Sequence, residues 1–98
     1  MSPRNWGRYD EAEVLALIEN YLELRYLRHR PTLHVRLMDI EVAMGYLPRR
    51  LFEAVLVMGI LRFSSRSAGK ALALSHISVQ KRYRQGLEHI LYRLNGDM

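Results

Sequence analysis

Residues 71–91 read ALALSHISVQKRYRQGLEHIL. Val79, Tyr83, Leu87, Ile90 and Leu91 recur three or four apart, the period of one helix face. Between them stand His76, Gln80, Lys81, Arg82 and Arg84. Their chemistry is that of polyanion contact. A glutamine can pair with the edge of adenine, and a lysine can reach guanine or a phosphate. Arginines on flanking faces hold phosphates, which position a protein on a duplex without specifying sequence. The plainer alternative is an ordinary solvated helix face.

The location of the charge bears on that choice. The chain has 98 residues and a net charge of +5. Residues 1–30 hold five arginines and five acids, and residues 31–61 hold three of each. Residues 62–98 hold Arg62, Arg66, Lys70, Lys81, Arg82, Arg84 and Arg93 against Glu88 and Asp97. The whole excess therefore lies in the last third, the footprint expected of a protein that meets a polyanion.

Other classes are disfavoured. The chain has no cysteine, so thiol chemistry and cysteine-ligated zinc are excluded. No stretch reaches the roughly 18 apolar residues of a membrane span, and the N-terminus MSPRNWGRYDEAEV has no apolar signal core. A cytoplasmic protein is the expectation. His29, His34, His76 and His89 lack metal-ligand spacing, Asp39 and Glu41 fall on different sides of a helix, and no phosphate-binding glycine loop is present. Ser64, Ser65 and Ser67 suit caps better than nucleophiles. Neither an enzyme nor a cofactor is expected.

The elements that must position the basic residues are helical. The length fits a single domain, 1–98, and the expected fold is all-α with about five helices. Asp10 caps the first helix, with Glu13 in capping-box spacing. That helix should end near Arg28–Arg30, before Pro31. A second helix covers about 34–44 and stops at Gly45. A third starts at Pro48, and LFEAVLVMGIL is apolar nearly all round, as in a central buried helix. Gly59 within it permits a close helix approach. Met38, Met44 and Met58 are expected to fill the core. A fourth helix covers about 65–72, after Ser64 or Ser65. A fifth follows Ser75 and runs to about Leu94, with Asn95–Gly96 beyond it.

The last two helices have the spacing of a helix-turn-helix over about 65–94. That motif needs a small residue where the second helix crosses the first, a small residue at the turn, and an aliphatic residue pointing back. Gly69, Ala73 and Val79 stand at those places, with Leu72 and Leu74 as core residues beside the turn. Glycine is the commoner turn residue, so Ala73 is a departure.

The stretch SSRSAGKALALSHISVQKRYRQGLEHIL (64–91) resembles region 4 of bacterial sigma factors. SVQKRYRQGLEHIL is especially similar to the extracytoplasmic-function branch, with Arg82 and Gly86 at matching positions. YLPRRLFEAVLV (46–57) is similar to the helix that precedes the motif there, so the resemblance covers roughly 46–95. Residues 1–30, an N-terminal arm and helix, do not share it and leave no room for a minus-10 binding region. The chain therefore resembles small phage late-transcription regulators, the Q-type antitermination and ArpU-type proteins. NWGR (5–8) is similar to a segment of some Q-type proteins.

The resemblance implies a DNA-binding transcription regulator that reads duplex DNA and also contacts RNA polymerase, in antitermination or activation. It places His76, Ile77, Ser78, Gln80 and Lys81 toward the major groove. Ile77 departs from the polar reader usual at its place, and suits a thymine methyl or a protein surface. Arg82, Arg84, Arg62 and Arg66 are the phosphate candidates. The alternative is a protein-interaction module docking on polymerase or another host protein without sequence-specific DNA binding. Leu15, Leu22 and Tyr26 point outward from the first helix, so a homodimer through residues 10–28 is expected. The competing arrangement folds the N-terminal arm, with Trp6 and Tyr9, back over that row.

Overall fold

The computed structural model describes residues 9–27 and 30–96, and Trp6 lies outside them. Six α-helices and no strand occur among the described residues. They are α1 (Glu11–Glu19), α2 (Tyr21–Arg25), α3 (Pro31–Gly45), α4 (Arg49–Ala54), α5 (Ser65–Leu72) and α6 (His76–Leu94). α4 runs directly into a π-helical turn, Val55–Ile60.

The local signals act where their chemistry requires. The Asp10 carboxylate accepts from the Glu13 N–H at 2.7 Å and starts α1. The expected long first helix is nevertheless two pieces. At Asn20 the side-chain amide donates to the Ala16 carbonyl at 2.8 Å, in competition with the backbone. α2 then ends at Arg25, and the expected end near Arg28 falls partly on residues not described. α3 starts three residues earlier than its apolar pattern implied, with Pro31 in its first turn, where the missing N–H is harmless. Pro48 is the residue before α4 rather than its first.

Core formation centres on the α4 segment. Leu51, Ala54, Val55, Val57 and Ile60 are buried along it. The π turn is closed by the Leu61 N–H donating to the Leu56 carbonyl at 2.9 Å. One apolar cluster packs Val55 and Ile60 with Val14 and Ile18 of α1, Ile40, Ala43 and Met44 of α3, and Ile90 of α6. A second packs Ala54 and Val57 with Ala68 of α5 and Val79 of α6. Gly59 gives the expected close approach, since a Cβ there would lie 2.5 Å from Ile18 Cγ2.

Two expectations are corrected. Met38 is exposed on α3, while Met44 is buried and Met58 half-buried. Tyr9 does not cover the outward row of the first helix. It is buried between α3 and the end of α6: its N–H donates to Asn95 Oδ1 at 2.8 Å, and its hydroxyl donates to Asp39 Oδ2 at 2.8 Å. Burial, followed by the Asp39 carboxylate, holds its hydroxyl well above the usual phenol range. The row itself is split by Asn20: Leu15 is half-buried, and Leu22 and Tyr26 are exposed.

Candidate nucleic-acid interface

α5 and α6 are joined by Ala73–Ser75. Ser64 starts α5 by accepting from the Ser67 N–H at 3.2 Å. Ala73 ends it in the left-handed conformation, φ 57° and ψ 44°. The Leu74 N–H then donates to the Gly69 carbonyl at 2.7 Å. A Cβ on Gly69 would stand 2.6 Å from the Leu74 carbonyl oxygen and 3.4 Å from the His76 nitrogen, so the turn closes only over a residue without one. Val79 is 0% exposed and packs back on the second cluster. Gly69, Ala73 and Val79 thus carry the contacts that their spacing called for.

The left-handed Ala73 is a local strain with a direct test. That conformation disfavours an L residue by roughly 1–2 kcal/mol, and glycine escapes it at some cost in chain entropy. Ala73→Gly is expected to stabilise the fold by about 1 kcal/mol, seen as a rise of several degrees in Tm. A lower Tm would mean that the Ala73 methyl contributes packing that outweighs the strain.

Ser75 caps α6. Its Oγ accepts from the Ser78 N–H at 3.1 Å and lies 2.9 Å from the Ser78 hydroxyl. From this start α6 buries Val79, Gly86 and Ile90 on one side. His76, Ile77, Gln80, Lys81 and Arg84 are exposed, and Arg82 is half-buried on the flank. Ser78 is half-buried, with its hydroxyl engaged in the cap.

Across the turn, exposed Arg66 and Lys70 line an open groove with Gly69, Ala73, Leu74 and His76. Lys70 was not among the residues singled out from sequence, although it stands one helical turn after Arg66 and so shares its face. Arg66, Lys70, Lys81, Arg82 and Arg84 are paired with no acid among the described residues.

Arg62 lies elsewhere. Its Nη1 donates to the Glu19 carbonyl at 3.0 Å, where a cation suits the negative end of α1. The Glu19 side chain accepts in turn from the Tyr83 hydroxyl at 3.4 Å. Burial and the Glu19 carboxylate push that hydroxyl up to about 12. Tyr83 packs in both apolar clusters, so it is a core residue rather than a stacking platform for bases.

Among the described residues there is no group of three or more metal-ligating side chains and no helix long and apolar enough to cross a membrane. A comparison with protein-family models, curated proteins and solved structures finds no match for the chain.

Proposed function

We propose that this chain is a transcription regulator that binds duplex DNA through the N-terminal half of α6. One observation carries this function: His76, Gln80, Lys81 and Arg84 are exposed on α6, facing solvent without acid partners among the described residues, on a helix that follows a turn bonded to α5. Gln80 and Lys81 are the base-edge readers. Arg84, Arg82, Arg66 and Lys70 hold phosphates on either side. Ile77, 65% exposed, meets a thymine methyl. Ser78 supports the cap and Arg62 the fold. The resemblance to sigma region 4 and to phage late regulators adds RNA polymerase as a second partner.

Binding to random-sequence duplex DNA at several salt concentrations tests the proposal. Four or five phosphate contacts give a slope of log affinity against log salt of about −4. Binding that is absent, or insensitive to salt, would sink it.

A second function, docking on polymerase or another protein without DNA, has its own support. Leu22 of α2 and Tyr26 just after it are exposed, as are Leu61 and Phe63 on either side of Arg62. The Arg62 bond to Glu19 sets the second of these segments against the end of α1, three residues before Leu22. Recovery of polymerase from nuclease-treated lysate by wild type but not by Leu22→Glu would favour it.

A further inference from the structure

α3 is apolar on two sides. Leu37, Ile40, Ala43 and Met44 face the core. Val35, Met38, Val42 and Tyr46 follow one another at steps of three, four and four along the opposite side. They are 56%, 46%, 58% and 64% exposed. At its Tyr46 end the row borders a half-open notch of about 310 Å³ between α3 and α6. Ala43, Tyr46 and Leu47 form one wall, and His89 and Tyr92 the other. We infer that this face of α3, with Tyr46 and Tyr92 at its edge, is the interface of a two-fold homodimer.

Three observations favour a second copy as the occupant. The first is area. Four exposed apolar side chains and Tyr92, fully covered, offer on the order of 500 Å² per copy, or about 1,000 Å² for a pair, the size of a weak association. The second is charge. Arg36 is paired with Glu13 at 2.6 Å, Asp39 accepts from Tyr9 at 2.8 Å, Glu41 accepts from Tyr21, and the Arg93 guanidinium lies 3.6 Å from the centre of the Tyr46 ring. These four charges have partners within the chain, whereas Glu88, on the wall of the notch, is exposed. Burying the α3 row strands none of the four, and they offer little for a charged foreign surface to complement.

The third observation is spacing, and it rests on the DNA-binding function proposed above. At about 1.5 Å per residue, Gln80 lies about 18 Å along α6 from Tyr92. With the two copies of α6 end to end across a two-fold axis near Tyr92, the two reading segments would lie about 36 Å apart, close to the roughly 34 Å of one duplex turn. The outward row of α1 and α2 fits less well. It is interrupted at Asn20, and Glu19 beside it is bonded to Tyr83, within the reading half of α6.

Sedimentation of the full chain without DNA tests the interface at concentrations up to about 100 µM, the range of a weak dimer. Wild type should be a dimer. Val42→Glu should weaken it at least tenfold with an unchanged Tm, because Val42 is exposed in the protomer, and Leu22→Glu should leave it intact. The chain has no cysteine, so a single introduced thiol reports its own neighbourhood. A short bis-maleimide should join copies of Val42→Cys and not of Leu22→Cys. A monomeric wild type, or a dimer broken by Leu22→Glu and not by Val42→Glu, overturns the inference. The two failures are separable. A dimer lost in Val42→Glu, from a chain that binds no DNA, keeps the interface and removes the DNA function. DNA binding by a monomeric wild type does the reverse.

Discussion

Val79→Asp is expected to unfold most of the protein at room temperature. Val79 is 0% exposed and sits among the apolar side chains of Ala54, Val57 and Ala68, and the Tyr83 hydroxyl of the same cluster is already bonded to Glu19. The new side chain must be buried unpaired or become protonated, and either outcome, added to the lost apolar contacts, removes several kcal/mol. A domain of this size has only about 5–15 kcal/mol in total. Val79→Ala removes the methyls without adding charge and should cost about 2 kcal/mol while the domain stays folded. Denaturant titration followed by circular dichroism measures both. Wild-type stability in the aspartate variant would mean that α6 does not pack on α5 as described.

Lys81→Glu combined with Arg84→Glu should reduce affinity for duplex DNA about a hundredfold or more near 0.1 M salt. Counterion release makes each lost phosphate contact worth roughly eightfold at that concentration, and the reversed charges add repulsion. Single alanine variants at these positions should each make the salt slope shallower by about one if each side chain meets one phosphate. Both residues are exposed and have no acid partner among the described residues, so Tm should hardly move. Arg49→Ala is the control. Arg49 lies on α4, bonded to Glu53 at 3.3 Å, and its loss should leave DNA affinity as it was. Equal losses from Arg49 and from the α6 pair would mean a diffuse cationic effect instead of a defined face. No loss from the α6 pair would remove α6 as the DNA surface.

Much of this arrangement is legible in one dimension because it depends on neighbours three to five residues apart. Asp10, Ser64 and Ser75 cap their helices by reaching an N–H three residues on, and any chain carrying those residues before an apolar-periodic run has that bond available. Gly69 and Ala73 close the turn at nearly the same range, the Leu74 N–H reaching the Gly69 carbonyl five residues back, while Val79 packs on the more distant Ala54, Val57 and Ala68. The surplus of positive charge in the last third is likewise a property of order along the chain. The solvent side of α6 follows once Val79, Gly86 and Ile90 are seen to share the other side.

The remainder was decided by segments far apart in sequence. Tyr9 and Asn95 are 86 residues apart, and nothing local to either reveals that each satisfies the other's polar groups. Arg62 looks like a phosphate contact among the basic residues, yet its side chain reaches the end of α1, 43 residues away. Asn20 breaks the first helix, although the apolar stripe continues across it. α3 has two apolar sides, and periodicity alone cannot say which is buried. Leu37, Ile40, Ala43 and Met44 face inward because α1, α4 and α6 together enclose the space beside them. Val35, Met38 and Val42 stay exposed because no other helix among the described residues covers them. Helix formation is a contest settled within a turn or two, whereas the choice of buried face depends on which distant elements fill the remaining volume.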